Sequence, residues 1–214
     1  MSKFEEKWIK ERKPSMGDRF REAIRTPSPL KPRLEDAARA IQAQTAKMEN
    51  ISIRQKEKDA AIFNKVIIAI QKHDTQHASV YANELAEIRK MNKTVTSSKL
   101  ALEQIALRLN TVTELGDVVV ALAPAMSVLR SVKSGIVGAM PEAEREINEI
   151  SGLLSSILMD AGTVSGTTLN FEAANEDAER IVAEASAVAE QRMKEKFPEL
   201  PTGMPSGEAN QTFT

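Results

Sequence analysis

The chain has 214 residues and a net charge of −1, and 42% of its residues are hydrophobic although only 4% are aromatic. Aliphatic and charged residues make up the bulk, as is typical of long helices and coiled coils. Because cysteine is absent and histidine occurs twice, disulfides, thiolate metal sites, cysteine nucleophiles and three-histidine metal sites are excluded. The composition therefore points away from catalysis.

Charge is distributed unevenly along the chain. Residues 1–33 hold ten basic and five acidic residues (+5), residues 34–110 twelve and nine (+3), and residues 111–214 seven and sixteen (−9). A basic front and an acidic rear indicate either an anionic surface as the partner of the front or a fold in which the two ends meet. No apolar run approaches the roughly 18 residues of a membrane span, and no signal peptide is recognisable. The expected location is cytoplasmic, with peripheral contact to a membrane.

The first 32 residues predict a basic amphipathic segment. If residues 2–13 are helical, aromatic and aliphatic side chains share one face, and Met16, Phe20 and Ile24 repeat this pattern at a spacing of four. An apolar face with basic flanks is typical of a helix that lies in a membrane interface. The alternative is a helix that docks this stripe on the chain's own core. The residues assigned to membrane contact are Phe4, Trp8, Ile9, Lys3, Lys7, Lys10 and Phe20.

A block without glycine or proline, residues 33–115, predicts a long helical unit. Its apolar residues recur every seven positions in two rows, and the phase slips at the polar segment 73–77. Because a heptad stripe needs a partner helix, the favoured prediction is an antiparallel hairpin of two helices of about 40 residues. The alternative is one continuous rod that pairs with another chain. The predicted seam of the hairpin consists of Leu34, Ile41, Met48, Ile62, Val66, Tyr81, Ile88, Val95, Leu102 and Leu109.

His73 and His77 lie in this phase slip, four residues apart. Such a pair superficially matches the two-histidine spacing of zinc hydrolases, but those enzymes place a glutamate after the first histidine, where this chain has Asp74. A third ligand is also not identifiable. We interpret both histidines as polar residues at the tip of the hairpin and assign no metal, cofactor or catalytic residue.

After the hairpin, glycine and proline predict a series of shorter helices. A third helix is expected at about 117–134, tolerating or kinking at Pro124. A fourth begins at Pro141, with acidic residues near its positive end. Residues 162–168 are interpreted as a flexible linker, and a fifth, acidic helix is expected at about 171–196. The predicted domains are the segment 1–32, a helical core at 33–162, a linker with an acidic regulatory helix at 163–196, and a tail at 197–214.

The tail predicts a disordered segment with a docking motif. Between Phe197 and Pro205, prolines alternate with apolar residues. Proline keeps such a segment extended and lowers the entropy lost when it docks, so the segment suits a groove between helices of a partner. An ordinary unstructured tail is the alternative.

This order of features resembles the ESCRT-III family and, within it, the archaeal cell-division proteins of the CdvB group. The stretch MGDRFREAIRTPSPLKPRLEDAARAIQAQ at residues 16–44 is similar to the family's entry into its first long helix. The stretch FPELPTGMP at 197–205 is similar to the proline-rich MIT-interacting motif, by which family members engage an AAA+ ATPase, CdvC in archaea. By that similarity the docking residues would be Phe197, Pro198, Leu200, Pro201, Met204 and Pro205.

The resemblance implies a filament subunit that polymerises with itself and with paralogous ESCRT-III subunits on the cytosolic face of the membrane, at the division site. It further implies constriction of an anionic membrane, extraction by the ATPase, and a closed soluble form in which acidic late helices cover the basic hairpin. The residues after Gly162 are too few for the winged-helix extension of some relatives, which predicts a paralogue that lacks it.

Three other classes remain for comparison. A coiled-coil scaffold or membrane tether that does not polymerise would share the hairpin but would not need the tail. A nucleic-acid binder is disfavoured because aromatic residues are few and the basic residues alternate with acidic ones, so no nucleic-acid partner is expected. An enzyme is the least favoured class, because no nucleophile set, phosphate loop or carboxylate pair stands out.

Overall fold

The computed structural model describes residues 30–112, 115–137, 140–165 and 171–199. These residues form helices joined by short connections and contain no strand. In chain order the helices are α1 (Leu30–Gln71), α2 (Thr75–Asn110), α3 (Leu115–Ile136), α4 (Pro141–Ser165) and α5 (Phe171–Lys196). The predicted all-α, ESCRT-III-like class is confirmed. The predicted N-terminal amphipathic helix lies outside the described residues.

The first two helices form the antiparallel hairpin, so the prediction of a hairpin is confirmed and the continuous rod is excluded. The chain reverses between Gln71 and Thr75, where His73 adopts a positive φ of 55°. Asp74 then caps α2, because its side chain accepts a hydrogen bond from the backbone N–H of His77 at 3.1 Å. At the other end α1 begins at Leu30, before the block that lacks proline. Pro32 is tolerated there because N–H groups in the first turn have no partner within the helix.

The half of the hairpin that contains both outer ends, which we call the base, forms the main core with α3 and α4. α1 and α4 run antiparallel, since Arg33 is paired with Asp160 and Lys47 with Glu146. The C-terminal end of α3 packs against α2 near Thr94. A methyl group added at Gly135 would lie 3.5 Å from the Thr94 Cγ2. The largest fully buried side chains of this core are Ile41, Met48, Leu102, Ile105, Leu122, Leu129, Ile136, Ile147, Leu154, Ile157 and, from α5, Ile181.

The other half, which we call the tip, consists of residues 52–71 of α1 and 75–94 of α2. Its buried apolar residues, such as Val66 and Leu85, do not belong to the core cluster of the base. Polar residues are buried beside them. The Ser52 hydroxyl donates to Asn92 Oδ1 at 2.8 Å across the two helices. The tip is therefore a two-helix element whose interior contains polar pairs.

The later helices follow the predicted order with one correction. α3 is continuous across Pro124, which is buried. α5 has the predicted bounds. The predicted linker at 162–168 is wrong in its first part, because α4 continues to Ser165. A glycine inside a helix costs only about 1 kcal/mol relative to alanine, so Gly162 does not end a helix that tertiary packing stabilises. Residues 166–170 lie outside the described residues.

α3 is the one helix in the described part of the chain that is long and apolar enough to cross a membrane by length and composition, over Asp117–Ile136. Half of that segment is buried inside the molecule, where it contacts α2, α4 and α5. A core helix of a soluble protein has the same properties, so this segment is weak evidence for a membrane span.

Candidate interface between the last helix and the hairpin

α5 lies along the hairpin and brings the acidic rear of the chain against basic residues of α2. The two helices run antiparallel, since Asp177 faces Arg108 and Glu190 faces Lys93. α5 also contacts α3. The buried face of α5 consists of Ala174, Ala178, Ile181, Ala185 and Ala189. Because four of these five side chains are methyl groups, the helix can pack closely on its neighbours.

Ion pairs border this face. Lys93 Nζ lies 3.0 Å from Glu190 Oε2, and Lys194 Nζ lies 3.2 Å from Oε1 of the same carboxylate. Hydrogen bonds from Lys93 and then Lys194 hold the pKa of Glu190 below its ordinary value. Arg108 and Asp177 form a longer pair of 3.6 Å. All are largely exposed, so each contributes little to stability and is screened by salt. They orient α5, whereas the alanine face supplies the burial.

A cluster around Arg89 closes the interface at the C-terminal end of α5. We call Asp59, Phe63, Arg89 and Phe197 the Arg89 cluster. Arg89 Nε donates to Asp59 Oδ1 at 2.6 Å, and the Asp59 side chain is only 4% exposed. The guanidinium carbon lies 5.9 Å from the ring centroid of Phe63 and 5.5 Å from that of Phe197. A buried charge requires a partner, and aromatic faces attract a guanidinium. Arg89 thus links α1, α2 and the residue that follows α5.

Phe197 is the first residue of the predicted docking motif, and it is buried at 9% exposure. Together with Arg89, Lys93 and Met193 it lines a small pocket of about 400 Å³ beside the end of α5. Pro198 is exposed. The other residues assigned to ATPase docking, Leu200, Pro201, Met204 and Pro205, lie outside the described residues. The motif therefore begins on the surface of the hairpin.

Like charges also meet at this end of the interface. Burial, followed by the nearby ammonium of Lys196, lowers the pKa of Lys56. Lys56 belongs to α1 and Lys196 is the last residue of α5, so the end of α5 reaches across α2 toward α1. Two neighbouring ammonium groups repel each other. Lys196 also helps to lower the pKa of Glu49, so the end of α5 meets both a like and an opposite charge of α1.

The predicted seam residues occupy two kinds of environment. Eight of the ten are buried, at 7% exposure or less: Leu34, Ile41, Met48, Ile62, Val66, Val95, Leu102 and Leu109. Tyr81 and Ile88, both in the tip, are half-buried. Lys65 Nζ lies 5.6 Å from the centroid of the Tyr81 ring. The tip therefore covers its seam less completely than the base does.

The histidines lie at the tip of the hairpin. His77 Nδ1 is 2.7 Å from Asp74 Oδ2, and both side chains are largely exposed. Hydrogen bonds from His77, its backbone N–H first and its ring second, lower the pKa of Asp74. In residues 30–112, 115–137, 140–165 and 171–199, no group of three or more His, Asp or Glu side chains is placed to hold a metal ion.

The residues assigned to membrane contact, Phe4, Trp8, Ile9, Lys3, Lys7, Lys10 and Phe20, all lie outside the described residues. Sequence reasoning missed the Arg89 cluster. A signal was present, because every seventh residue from Ala38 to Val66 belongs to one buried row of α1 in which Asp59 is the only charged position. A carboxylate in a buried row predicts a basic partner on the facing helix.

Relatives with curated names share this sequence over most of its length. Cell division protein B1 of Sulfolobus acidocaldarius is 42% identical over 173 residues, which cover 81% of this chain and 81% of that protein. The chain belongs to the CdvB family of ESCRT-III-like cell division proteins. No family model and no solved structure matches it.

Two further CdvB proteins of the same organism are similar. Cell division protein B is 34% identical over 161 residues, or 75% of this chain and 62% of that protein. Cell division protein B3 is 31% identical over 118 residues, or 55% and 68%. The CdvB family thus has several paralogues in one organism, and this chain has a role in cell division. That it is not an enzyme stays a prediction.

Proposed function

We propose that this CdvB-family protein is a filament subunit that polymerises with itself and with paralogues on the cytosolic membrane face at the division site. There it constricts the membrane, and an AAA+ ATPase remodels the filament. The observation that carries the proposal is the acidic α5 packed on the basic α2 of a long hairpin in a member of this family. Release of α5 would expose the faces of α2 and α3 for contact with other subunits.

The interface has the energetics that a switch requires. Its ion pairs are exposed, and its buried face is mostly methyl groups, which contribute less burial than leucine or isoleucine would. Such moderate attraction keeps the open form accessible at a cost of a few kcal/mol.

The proposed anchor is the segment 1–32, and the proposed ATPase site is the motif at 197–205. Each fully buried apolar side chain contributes about 1.5–3 kcal/mol, and each basic residue near anionic lipid about 1 kcal/mol. A single anchor would bind weakly once its ordering cost is included. A filament that presents many anchors binds well because the linked sites act through effective concentration.

The first test is electron microscopy of the protein mixed with anionic liposomes. We expect filaments or coated tubules with the full chain and bare vesicles with a variant that lacks residues 1–13. Trp8→Gln should weaken the coat, whereas Glu6→Gln, a matched change of a charged residue in the same segment, should leave it intact. Filaments with every variant would retain the polymer and reject the anchor. Dispersed protein in every sample, also with a paralogue added, would favour a tether that does not polymerise.

A charge reversal tests the closed form. Lys93→Glu places two carboxylates together at Glu190, so the attachment of α5 should weaken and filaments should assemble at a modestly lower protein concentration. The swapped pair, Lys93→Glu with Glu190→Lys, restores the attraction and should return assembly to the original concentration. Equal assembly by all three proteins would reject the role of α5 as a closing element.

The tail is tested separately with the isolated MIT domain of the AAA+ ATPase. Replacing Leu200 and Met204 by alanine should weaken binding by about tenfold or more, as expected when anchor side chains are truncated. Thr202→Ala, in the middle of the same motif, is the matched control and should bind normally. Unchanged binding by the Leu200 and Met204 variant would reject this motif as the ATPase site.

A further inference from the structure

A groove between α1 and α4, on the side of the base away from α5, contains an unusual buried group. The groove has a volume of about 340 Å³ and is lined by Ala40, Ala43, Gln44, Lys47, Glu146, Glu149, Ile150 and Leu153. The amide nitrogen and oxygen of Gln44 are both buried, and neither has a hydrogen-bond partner among the described residues. An unpaired buried polar group costs stability, so this amide marks a place where the packing of α1 against α4 is imperfect.

The floor and walls of the groove suit a short helix. Ala40 and Ala43 present only methyl groups, so another backbone can approach α1 closely, and Leu153 remains half-buried beside them. The α4 wall contributes Glu146 and Glu149, and the α1 wall contributes Lys47, which is paired with Glu146, so the charged lining of the groove is acidic on balance. An occupant with an apolar stripe and basic neighbours would match this surface in both shape and charge.

The segment that precedes α1 has this composition. Residues 1–29 carry eight basic and five acidic residues, and they end directly before Leu30. Within them Met16, Phe20 and Ile24 form a stripe at a spacing of four. Arginines occupy positions 19, 21 and 25 beside this stripe. Residues 26–29, Thr-Pro-Ser-Pro, are long enough for a connection between two antiparallel helices.

The lengths also agree. A helix of residues 16–25 spans about 15 Å, which is the distance that α1 covers from Leu30 to Ala40. If the segment turns back at 26–29 and lies antiparallel to α1, Met16 reaches the groove at Ala40 and Ala43. Its arginines then lie beside the acidic residues of α4.

We propose that, in the absence of a membrane, residues 16–25 fold back and dock in the groove between α1 and α4 of the same chain. Phe20 is also one of the residues assigned to membrane contact, so docking and membrane insertion of this segment exclude each other. Docking takes place in solution, so it can be measured without vesicles. It therefore stands or fails independently of filament formation and membrane binding.

The first test uses tryptophan emission. Trp8 is the chain's only tryptophan, so Trp8→Phe with Met16→Trp gives a single probe in the stripe. We expect emission typical of a buried indole, which Ala43→Glu shifts to the wavelength of a water-exposed one. Ala46→Glu, an exposed alanine of α1 outside the groove, should leave it unchanged. A water-like emission before any groove substitution would overturn the proposal.

The second test uses cysteine pairs, which are unambiguous because the natural chain has no cysteine. Oxidation should join Met16→Cys to Ala43→Cys about tenfold faster than to Gln42→Cys, because a docked segment has a high effective concentration at one face only. Gln42 is exposed, is not part of the groove lining, and lies about 100° around the helix from Ala43 at nearly the same height. Equal rates, or disulfides that form mainly between two chains, would overturn the proposal.

Discussion

The base and the tip of the hairpin are built from the same two helices, yet different neighbours stabilise them. In the base, α3 and α4 complete a core in which Ile41 and Leu102 are fully buried by several helices. In the tip, α1 and α2 cover each other, and the end of α5 touches them at Arg89. Apolar packing dominates where four helices meet, although Gln44 is buried there, and the ion pair of Asp59 is buried where only two do. The base thus depends on apolar burial by several helices, and the tip depends more on polar groups buried between two.

The largest expected effect is the loss of stability when a buried leucine is truncated, and it should differ between the two halves. Leu102→Ala in the base and Leu85→Ala in the tip both remove a fully buried side chain. We expect a loss of about 4 kcal/mol for Leu102 and about 2 kcal/mol for Leu85, because a four-helix core collapses less readily around a cavity than a two-helix seam. Urea unfolding of both variants measures this. Equal losses would show that the halves are packed alike.

Asp59→Ala should have the next largest effect and should act on the tip. Removal of the carboxylate leaves Arg89 without its buried partner, and we expect a loss of about 3 kcal/mol in unfolding free energy. Asp36→Ala removes an exposed carboxylate from the same helix and should leave stability unchanged. If Asp59→Ala unfolds like Asp36→Ala, the ion pair does not stabilise the tip.

Phe197→Ala should loosen the attachment of α5 without unfolding the hairpin. The ring is nearly buried against Arg89, so its loss should cost about 1–2 kcal/mol of local stability. Hydrogen exchange should become faster in the last turns of α5 and stay unchanged in α1 and α4. Pro198→Ala is the matched control, because Pro198 is exposed. Uniformly faster exchange along the chain would argue for global rather than local coupling.

The smallest expected effect concerns the base and is a change in how its stability depends on pH. The hydrogen bond from Lys99, opposed by burial, lowers the pKa of Glu49. A lowered pKa means that the folded state favours the carboxylate, so this contribution is present near neutral pH and is lost as the pH falls through the folded-state value. Glu49→Gln should therefore make the loss of stability between about pH 5 and pH 3 less steep. Thermal unfolding as a function of pH measures this slope.

The matched background for that experiment is Lys99→Met, which removes the cation. In this background Glu49→Gln should no longer change the slope. A change of the same size in both backgrounds would show that another group lowers the pKa of Glu49.

The periodicity of the sequence was enough to determine the helices and the turn between α1 and α2. A heptad row and a polar break are local signals, and an apolar stripe must be covered by some partner. Proline and glycine identified where α4 and α5 begin, because both residues act on the backbone directly. Gly162 misled the prediction, because one glycine costs less than the packing of α4 contributes.

Only the tertiary structure decided which surfaces the later helices cover. The Arg89 cluster joins residues from three separate parts of the chain, and the groove at Gln44 forms where α1 meets α4. No periodic pattern in the sequence encodes such contacts, since they depend on the crossing angle and the axial offset of whole helices. The charge gradient left two interpretations open, an anionic surface as the partner of the basic front or two halves of the chain that fold onto each other. It could not specify that Lys93 meets Glu190, because exposed charges are interchangeable until apolar packing fixes the helices that carry them.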